Sequence, residues 1–232
     1  MKKLIVISLL LISSISYGQT AQEFKIRGDL KRSVKLHYEA IANYTKAINI
    51  NPSYAKAYNN RGIAKSNLKD NKGAIADFTK AININPNYAE AYNNRGNSKS
   101  YIKDNKGAIA EITKAIEIKH NYKYFYNRGN SKSYIKDFEG AVSDYTKAIE
   151  MNSIYSASYN NRGISKADLK DFEGAVSDYT KAIELNPFYR EAYYNRGIAR
   201  YYLSDINGAC QDARKAKSLL FDSSILIYAV CN

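Results

Sequence analysis

The sequence has little cysteine, histidine or proline, and these shortages exclude several classes of protein. Two cysteines are too few for a small domain that is held together by several disulfides, and two histidines argue against a multi-histidine metal centre or a histidine-driven enzyme. Tryptophan is absent and only three residues are proline. Beyond the N-terminal segment, no apolar run approaches the roughly 20 residues that a membrane-spanning helix needs.

What the sequence does contain is basic side chains, tyrosine and regularly placed glycine. Its 232 residues include 35 lysines and arginines against 22 acidic residues, which gives a formal charge of +13. Hydrophobic residues make up 45% of the chain, as expected for a folded protein and too many for a wholly disordered one. Tyrosine occurs 22 times and glycine 12 times.

The N-terminal residues have the pattern of a secretory signal peptide. Lys2 and Lys3 precede the apolar run Leu4–Ile15, and the small residues Ser16 and Gly18 follow it. A membrane anchor is the alternative, but the apolar run is short for one. We therefore expect a signal peptide over residues 1–18 and a protein over residues 19–232 that is exported to the periplasm or secreted and is soluble after cleavage.

The glycines divide the rest of the chain into repeats. One series has spacings of 33 or 34 residues, and a second series follows it at a constant offset of 11: Gly28, Gly62, Gly96, Gly129, Gly163 and Gly197, then Gly73, Gly107, Gly140, Gly174 and Gly208. A fixed period of this length is typical of stacked-repeat proteins. Within a repeat, apolar residues recur at helical spacing over Tyr58–Leu68 and again over Ala74–Ile84, after which Pro86 ends the helix.

This pattern resembles the tetratricopeptide repeat, a pair of helices with small residues where they cross. The second unit carries the motif at Tyr58, Gly62, Ala74, Phe78, Ala81 and Pro86. The resemblance implies an all-α solenoid, a right-handed superhelix of helix-turn-helix repeats whose first helices line a concave groove. The six repeats would cover residues 21–54, 55–88, 89–121, 122–155, 156–189 and 190–223, with a capping helix over residues 223–230.

Asparagines placed two residues before five of the glycines predict a binding surface. They are Asn60, Asn94, Asn127, Asn161 and Asn195, here called the asparagine ladder. In the family this position faces the groove, and the series resembles the asparagine ladder of O-linked N-acetylglucosamine transferase. A carboxamide both donates and accepts, so a row of them suits the backbone of an extended peptide. Local packing between helices is the alternative role.

Supporting contacts are expected from other residues of the same helices. Asn97 and Asn130 directly follow their glycines, and tyrosines lie five residues beyond theirs at Tyr101, Tyr134 and Tyr202. Tyrosine offers flat contact area and a hydroxyl group, although most tyrosines of this chain are expected in the core. The predicted function is a non-enzymatic scaffold that binds an extended peptide or a partner protein.

Charge supports an alternative function. Lysines recur on the second helices at Lys46, Lys80, Lys114, Lys147, Lys181 and Lys215 and, with one arginine, on the first helices at Lys65, Lys99, Lys132, Lys166 and Arg200. Such stripes suit an anionic polymer or an acidic cell-envelope partner, whereas nucleic acid is not expected of an exported protein. An arginine before each glycine, followed sixteen residues later by an acid in five repeats, predicts an ion pair within the repeat.

The remaining candidates are few. Cys210 and Cys231 either form a disulfide, as an oxidising compartment permits, or are two buried thiols. No nucleophile, phosphate-binding loop or metal-ligand spacing recurs in the sequence. We therefore expect no enzyme activity, no cofactor and no metal.

Overall fold

The computed structural model describes residues 20–231. The predicted signal peptide over residues 1–18 lies outside this range. Within it the chain forms thirteen α-helices and no strand. The helices group into two compact units, the first ending at Pro86 and the second beginning at Asn87.

The helices follow the predicted repeats closely. Unit 1 contains α1 to α4, which are Ala21–Ser33, His37–Ile50, Ala55–Asn67 and Asn71–Ile84. Unit 2 contains α5 to α13, which are Ala89–Tyr101, Asn105–Ile118, Tyr122–Tyr134, Phe138–Met151, Ser156–Asp168, Phe172–Leu185, Arg190–Tyr202, Ile206–Ser218 and Ser224–Cys231. Each repeat is one hairpin of a first and a second helix, so the predicted fold class, an all-α solenoid of helical repeats, is confirmed. The handedness stays a prediction.

Small residues allow the two helices of a hairpin to pack closely. A Cβ atom added at Gly129 would lie only 2.8 Å from the ring of Tyr145 on the second helix. The alanines that flank this ring, Ala141 and Ala148, have no exposed surface. The same arrangement recurs around Gly62 and Phe78. The glycine of the motif therefore makes room for the large side chain of its own repeat.

Turn chemistry fixes where the helices begin and end. In five repeats an aspartate caps the second helix by accepting a hydrogen bond from the backbone N–H of the second-series glycine; Asp137 and Gly140 are one such pair, at 3.0 Å. Each first helix ends before a residue in the left-handed region, such as Lys136 with φ of 64°. A left-handed residue at this point stops the helix and turns the chain into the second helix.

Stacking within unit 2 places the first helices on one face. Each second helix packs against the next first helix, and the first helices α5, α7, α9 and α11 also contact one another in succession. In the described part of unit 2, successive second helices make no such contacts. The first helices therefore lie closer together than the second helices, which makes their side the concave one. We call the surface formed by α5, α7, α9 and α11 the inner face.

The last repeat is closed by α13. The second helix α12 carries Ala213 where other repeats have a large side chain, and Leu226 of α13 lies there instead, next to Gly197. A disulfide joins Cys210 of α12 to Cys231 of α13, with Cα atoms 5.2 Å apart. The helix predicted over residues 223–230 thus covers the apolar end of the last repeat.

Candidate functional site

The first helices of repeats two to six are each held in place by an ion cluster with an acid of the second helix. Arg128 donates two hydrogen bonds to Asp144, at 2.9 and 2.7 Å, and Lys132 binds the same carboxylate at 2.9 Å. Asp144 is only 3% exposed. Equivalent clusters form around Asp77, Glu111, Asp178 and Asp212. The ion pair predicted within the repeat is therefore present, and it includes a second cation that was expected on a solvated stripe.

The same arginine also links neighbouring repeats. Arg128 donates to the hydroxyl group of Thr113, on the second helix of the preceding repeat, at 3.1 Å. Its guanidinium lies over the ring of Phe125 at 5.7 Å. Arg162 and Arg196 make the corresponding threonine contacts. Each cluster thus fixes the orientation of a first helix and its distance from the previous repeat.

The asparagine ladder lies on the side of the first helices opposite to these clusters. In unit 2 the amide of Asn127 donates to Asn93 of the preceding repeat at 2.9 Å, and that of Asn195 donates to Asn160 at 3.4 Å. In unit 1, Asn60 donates to Asp29 at 2.8 Å. All of these ladder side chains are half-buried rather than sealed. They therefore bridge neighbouring first helices and still reach the surface.

The ladder residues differ in how many of their hydrogen-bonding groups are used. Asn161 donates to Tyr126 and Asn130 and accepts from Asn160. Asn127 uses one N–H, and Asn97 makes no side-chain hydrogen bond within residues 20–231. Asn94 accepts a long bond of 3.5 Å from Asn93. The local packing role considered from the sequence is thus real at Asn161, whereas Asn97 and Asn127 have amide groups to spare.

Three clefts run between successive first helices on the inner face. The first cleft, of about 260 Å³, is lined by Asn97, Ser100, Tyr101, Asn127, Asn130, Ser131 and Tyr134. The second cleft, of about 340 Å³, is lined by Tyr126, Asn130, Ser133, Tyr134, Tyr145, Asn161 and Ile164. The third cleft, of about 250 Å³, is lined by Ile164, Ala167, Asp168, Lys170, Phe172, Tyr179, Asn195, Ile198, Ala199 and Tyr202. Asn130 and Tyr134 line both the first and the second cleft, which are therefore adjacent.

Tyrosines form both the floor and the walls of the clefts. Tyr101 and Tyr134 are each 72% exposed, whereas Tyr145 lies beneath the surface and donates its hydroxyl hydrogen to Asn130 at 2.8 Å. Burial raises the pKa of the phenols of Tyr126 and Tyr145. Both therefore stay protonated and neutral over the physiological pH range. The hydroxyl of Tyr145 donates to Asn130, and that of Tyr126 accepts from Asn161.

The structure brings most of the predicted site residues together. Asn97, Asn127, Asn130, Asn161, Asn195, Tyr101, Tyr134 and Tyr202 all line the clefts of unit 2. Asn94 is half-buried on the same face, and Asn60 lies in unit 1. Tyr126, Tyr145 and Ser131 also line the clefts and were not predicted. The sequence signal for Tyr126 is weak: asparagine stands at its position in the second, third and fifth repeats, but the sixth repeat also has tyrosine there.

Three other kinds of site were considered in the described part of the chain: a metal site, a membrane-spanning helix and a basic surface. It contains no group of three or more histidine, cysteine, aspartate or glutamate side chains placed to hold a metal ion. None of the helices over residues 20–231 combines the length and apolar character needed to cross a membrane. The lysines of the second helices are exposed, and Lys114, Lys147 and Lys181 pair with glutamates three residues later.

Known families give a consistent match. Models of the tetratricopeptide repeat match residues 55–88, 89–122, 122–155 and 156–189, and a TPR repeat model matches residues 37–69. Together these matches run without interruption from residue 37 to residue 189. No curated protein sequence is significantly similar to the chain.

Several solved structures share the fold. YrrB, described as a TPR protein with an unusual peptide-binding site, is 24% identical with a TM-score of 0.66, and the match covers 80% of this chain and 96% of that one. PilF of Pseudomonas aeruginosa is 16% identical with a TM-score of 0.79, covering 90% and 95%. A tetratricopeptide repeat protein of Parabacteroides merdae is 17% identical with a TM-score of 0.68, covering 91% and 84%. At these identities the likeness shows the fold.

Proposed function

Because the chain belongs to the tetratricopeptide repeat family, we propose that it is a non-enzymatic interaction scaffold. It binds an extended segment of another protein along the inner face of unit 2. The asparagine ladder and the neighbouring tyrosines of that face make the contacts. The proposal includes export of the protein, since the sequence over residues 1–18 has the pattern of a signal peptide.

The observation that carries the proposal is the pair of adjacent clefts on the inner face. They contain amide groups that the fold leaves partly unused, above all those of Asn97 and Asn127. An extended peptide exposes one N–H and one C=O at almost every residue. Half-buried amides that are already oriented by the fold satisfy those groups at little entropic cost.

Fold-level similarity supports the same function. YrrB is described as having a peptide-binding site, and it shares the repeat architecture of this chain. Helical-repeat proteins use extended concave surfaces of this kind for binding.

The exposed lysines favour a second candidate function. Lys114, Lys147 and Lys181 lie on the second helices of unit 2, do not line the three clefts, and are exposed. A basic surface of this kind attracts an anionic polymer or an acidic cell-envelope partner by long-range electrostatics. The two functions use different surfaces, so they are separable by substitution.

A peptide selection tests the proposed function. Random 12-residue peptides displayed on phage are selected on the full chain, and the affinity of enriched peptides is measured by fluorescence anisotropy. Asn97→Ala combined with Asn127→Ala is expected to weaken binding about thirtyfold, because each of the two lost hydrogen bonds contributes about 1 kcal/mol. Helicity should be unchanged. The free energy of unfolding should fall by no more than about 1 kcal/mol, because the only hydrogen bond lost within residues 20–231 is the one from Asn127 to Asn93.

The matched control is Ser143→Ala on the outer surface of α8, which should bind as the wild type does. Failure to enrich any peptide contradicts the proposed function. Equal affinity of the double variant would show that the clefts do not form the binding surface.

A further inference from the structure

The first and second clefts have no charged lining residue among those that the structure describes. Their walls consist of asparagine, serine, tyrosine and one isoleucine. This is unexpected in a chain of which 25% is charged and whose formal charge is +13. The neutrality extends across α5, α7 and α9, so it is a property of the surface and not of one position.

The buried ion clusters explain how the clefts remain neutral. The first helices that form these clefts carry Lys99, Lys132 and Lys166, and each of these lysines binds a buried acid of its own repeat, at 2.8 to 2.9 Å. These lysine side chains are at most 25% exposed. The cations therefore point between the two helices of the hairpin and away from the ligand surface, and their charge is already compensated.

A charged ligand side chain would gain no ion pair in these clefts. Inside them, the available partners are carboxamides, hydroxyls and the faces of aromatic rings. Removing a charged group from water without an opposite charge costs several kcal/mol, whereas a peptide amide finds a hydrogen-bond partner here. The two exposed rings, Tyr101 and Tyr134, offer flat surfaces for uncharged side chains.

We propose that the ligand of the first and second clefts is an extended peptide segment without charged side chains. Its backbone binds Asn97 and Asn127, and its side chains pack against Tyr101 and Tyr134. This inference rests on the proposed function and narrows it. The restriction ends at the third cleft, where Asp168 and Lys170 line the wall, so charged residues of a longer ligand are accommodated there.

The selection described above tests this inference through the composition of the enriched peptides. On the wild-type chain, aspartate, glutamate, lysine and arginine should be depleted about tenfold across the shared core of the enriched sequences, relative to the unselected library. The same selection is carried out on the Asn97→Asp variant, in which the substitution places one carboxylate in the first cleft. Lysine or arginine should then be enriched at least about threefold at one core position.

Ser143→Asp is the matched control, since it adds the same charge to an exposed position of α8 outside the clefts. It should select the same uncharged peptides as the wild type. Enriched peptides with a shared acidic or basic core, whose binding still requires Asn97 and Asn127, would overturn the present inference and leave the proposed function standing. If no peptide is enriched at all, both fail.

Discussion

At the scale of single residues, the buried carboxylates have the largest predicted effect on stability. Asp144 accepts hydrogen bonds from Arg128 and binds Lys132, and it has almost no contact with water. Removing one member of a buried cluster leaves the remaining charges uncompensated. The cluster is therefore more sensitive to the loss of one partner than its number of hydrogen bonds suggests.

We predict that Asp144→Asn lowers the free energy of unfolding by about 3 kcal/mol. The substitution keeps the shape of the side chain and removes its charge, so the loss is electrostatic. Urea unfolding followed by circular dichroism measures it. Glu150→Gln is the control, because Glu150 forms an exposed pair with Lys147 and such pairs contribute less than about 1 kcal/mol. Equal effects of the two substitutions would contradict the argument.

The sequence predicted part of this cluster and missed the rest for a physical reason. The sixteen-residue spacing between Arg128 and Asp144 was recognisable because both positions repeat. Lys132 repeats just as regularly, yet its pattern is equally typical of a solvated helix face. Only the packing of the two helices decides whether a lysine points to water or to the acid of its own repeat, and the packing is not visible in the spacing.

The asparagine ladder shows the same limit. Its position on the inner face follows from the resemblance and the period, and Asn97 and Asn127 both line the first cleft of that face. The pairing of Asn127 with Asn93 joins side chains of adjacent repeats. A contact of this kind depends on the rotation of one repeat against the next, which no single-repeat pattern contains.

At the scale of elements, the capping helix α13 is the most dependent on one covalent bond. It is only eight residues long, too short to be stable alone. Leu226 and Val230 are its buried apolar residues, and the disulfide to Cys210 holds its end against α12. The sequence predicted this helix and left the state of the cysteines open, because spacing does not give the distance between Cα atoms.

We predict that replacing both cysteines, Cys210→Ser with Cys231→Ser, destabilises α13 by about 3 kcal/mol. Amide hydrogen exchange read by mass spectrometry should show α13 exchanging about 100-fold faster, which is the same free energy expressed as a rate. The first helix of unit 2, α5, is the internal control and should keep its exchange rate. Unchanged protection of α13 would mean that the packing of Leu226 and Val230 holds it without the disulfide.

At the scale of the whole molecule, two kinds of surface coexist. The chain carries a formal charge of +13, yet in its described part the first and second clefts have no charged lining residue, and Lys99, Lys132 and Lys166 of the first helices are paired with acids of their own repeats. The exposed lysines include Lys114, Lys147 and Lys181 of the second helices. Long-range electrostatic attraction and short-range recognition are therefore assigned to different sides of the hairpins. The sequence shows only that the lysine stripes of the first and second helices are both basic, so it did not separate these two sides.

Salt dependence distinguishes these surfaces. Heparin, a polyanionic probe, should be retained by the chain at low ionic strength and released before about 0.5 M NaCl, because exposed charges separated by more than a Debye length of about 10 Å at 0.1 M salt are screened. Binding of a selected peptide in the clefts should change less than about threefold over the same range, since it involves no ion pair. Asn97→Ala with Asn127→Ala should weaken peptide binding and leave heparin elution unchanged. Lys114→Gln with Lys147→Gln should lower the salt concentration at which heparin is released and leave peptide binding unchanged. If one pair of substitutions impaired both interactions, the two ligands would share one surface and the separation argued here would be wrong.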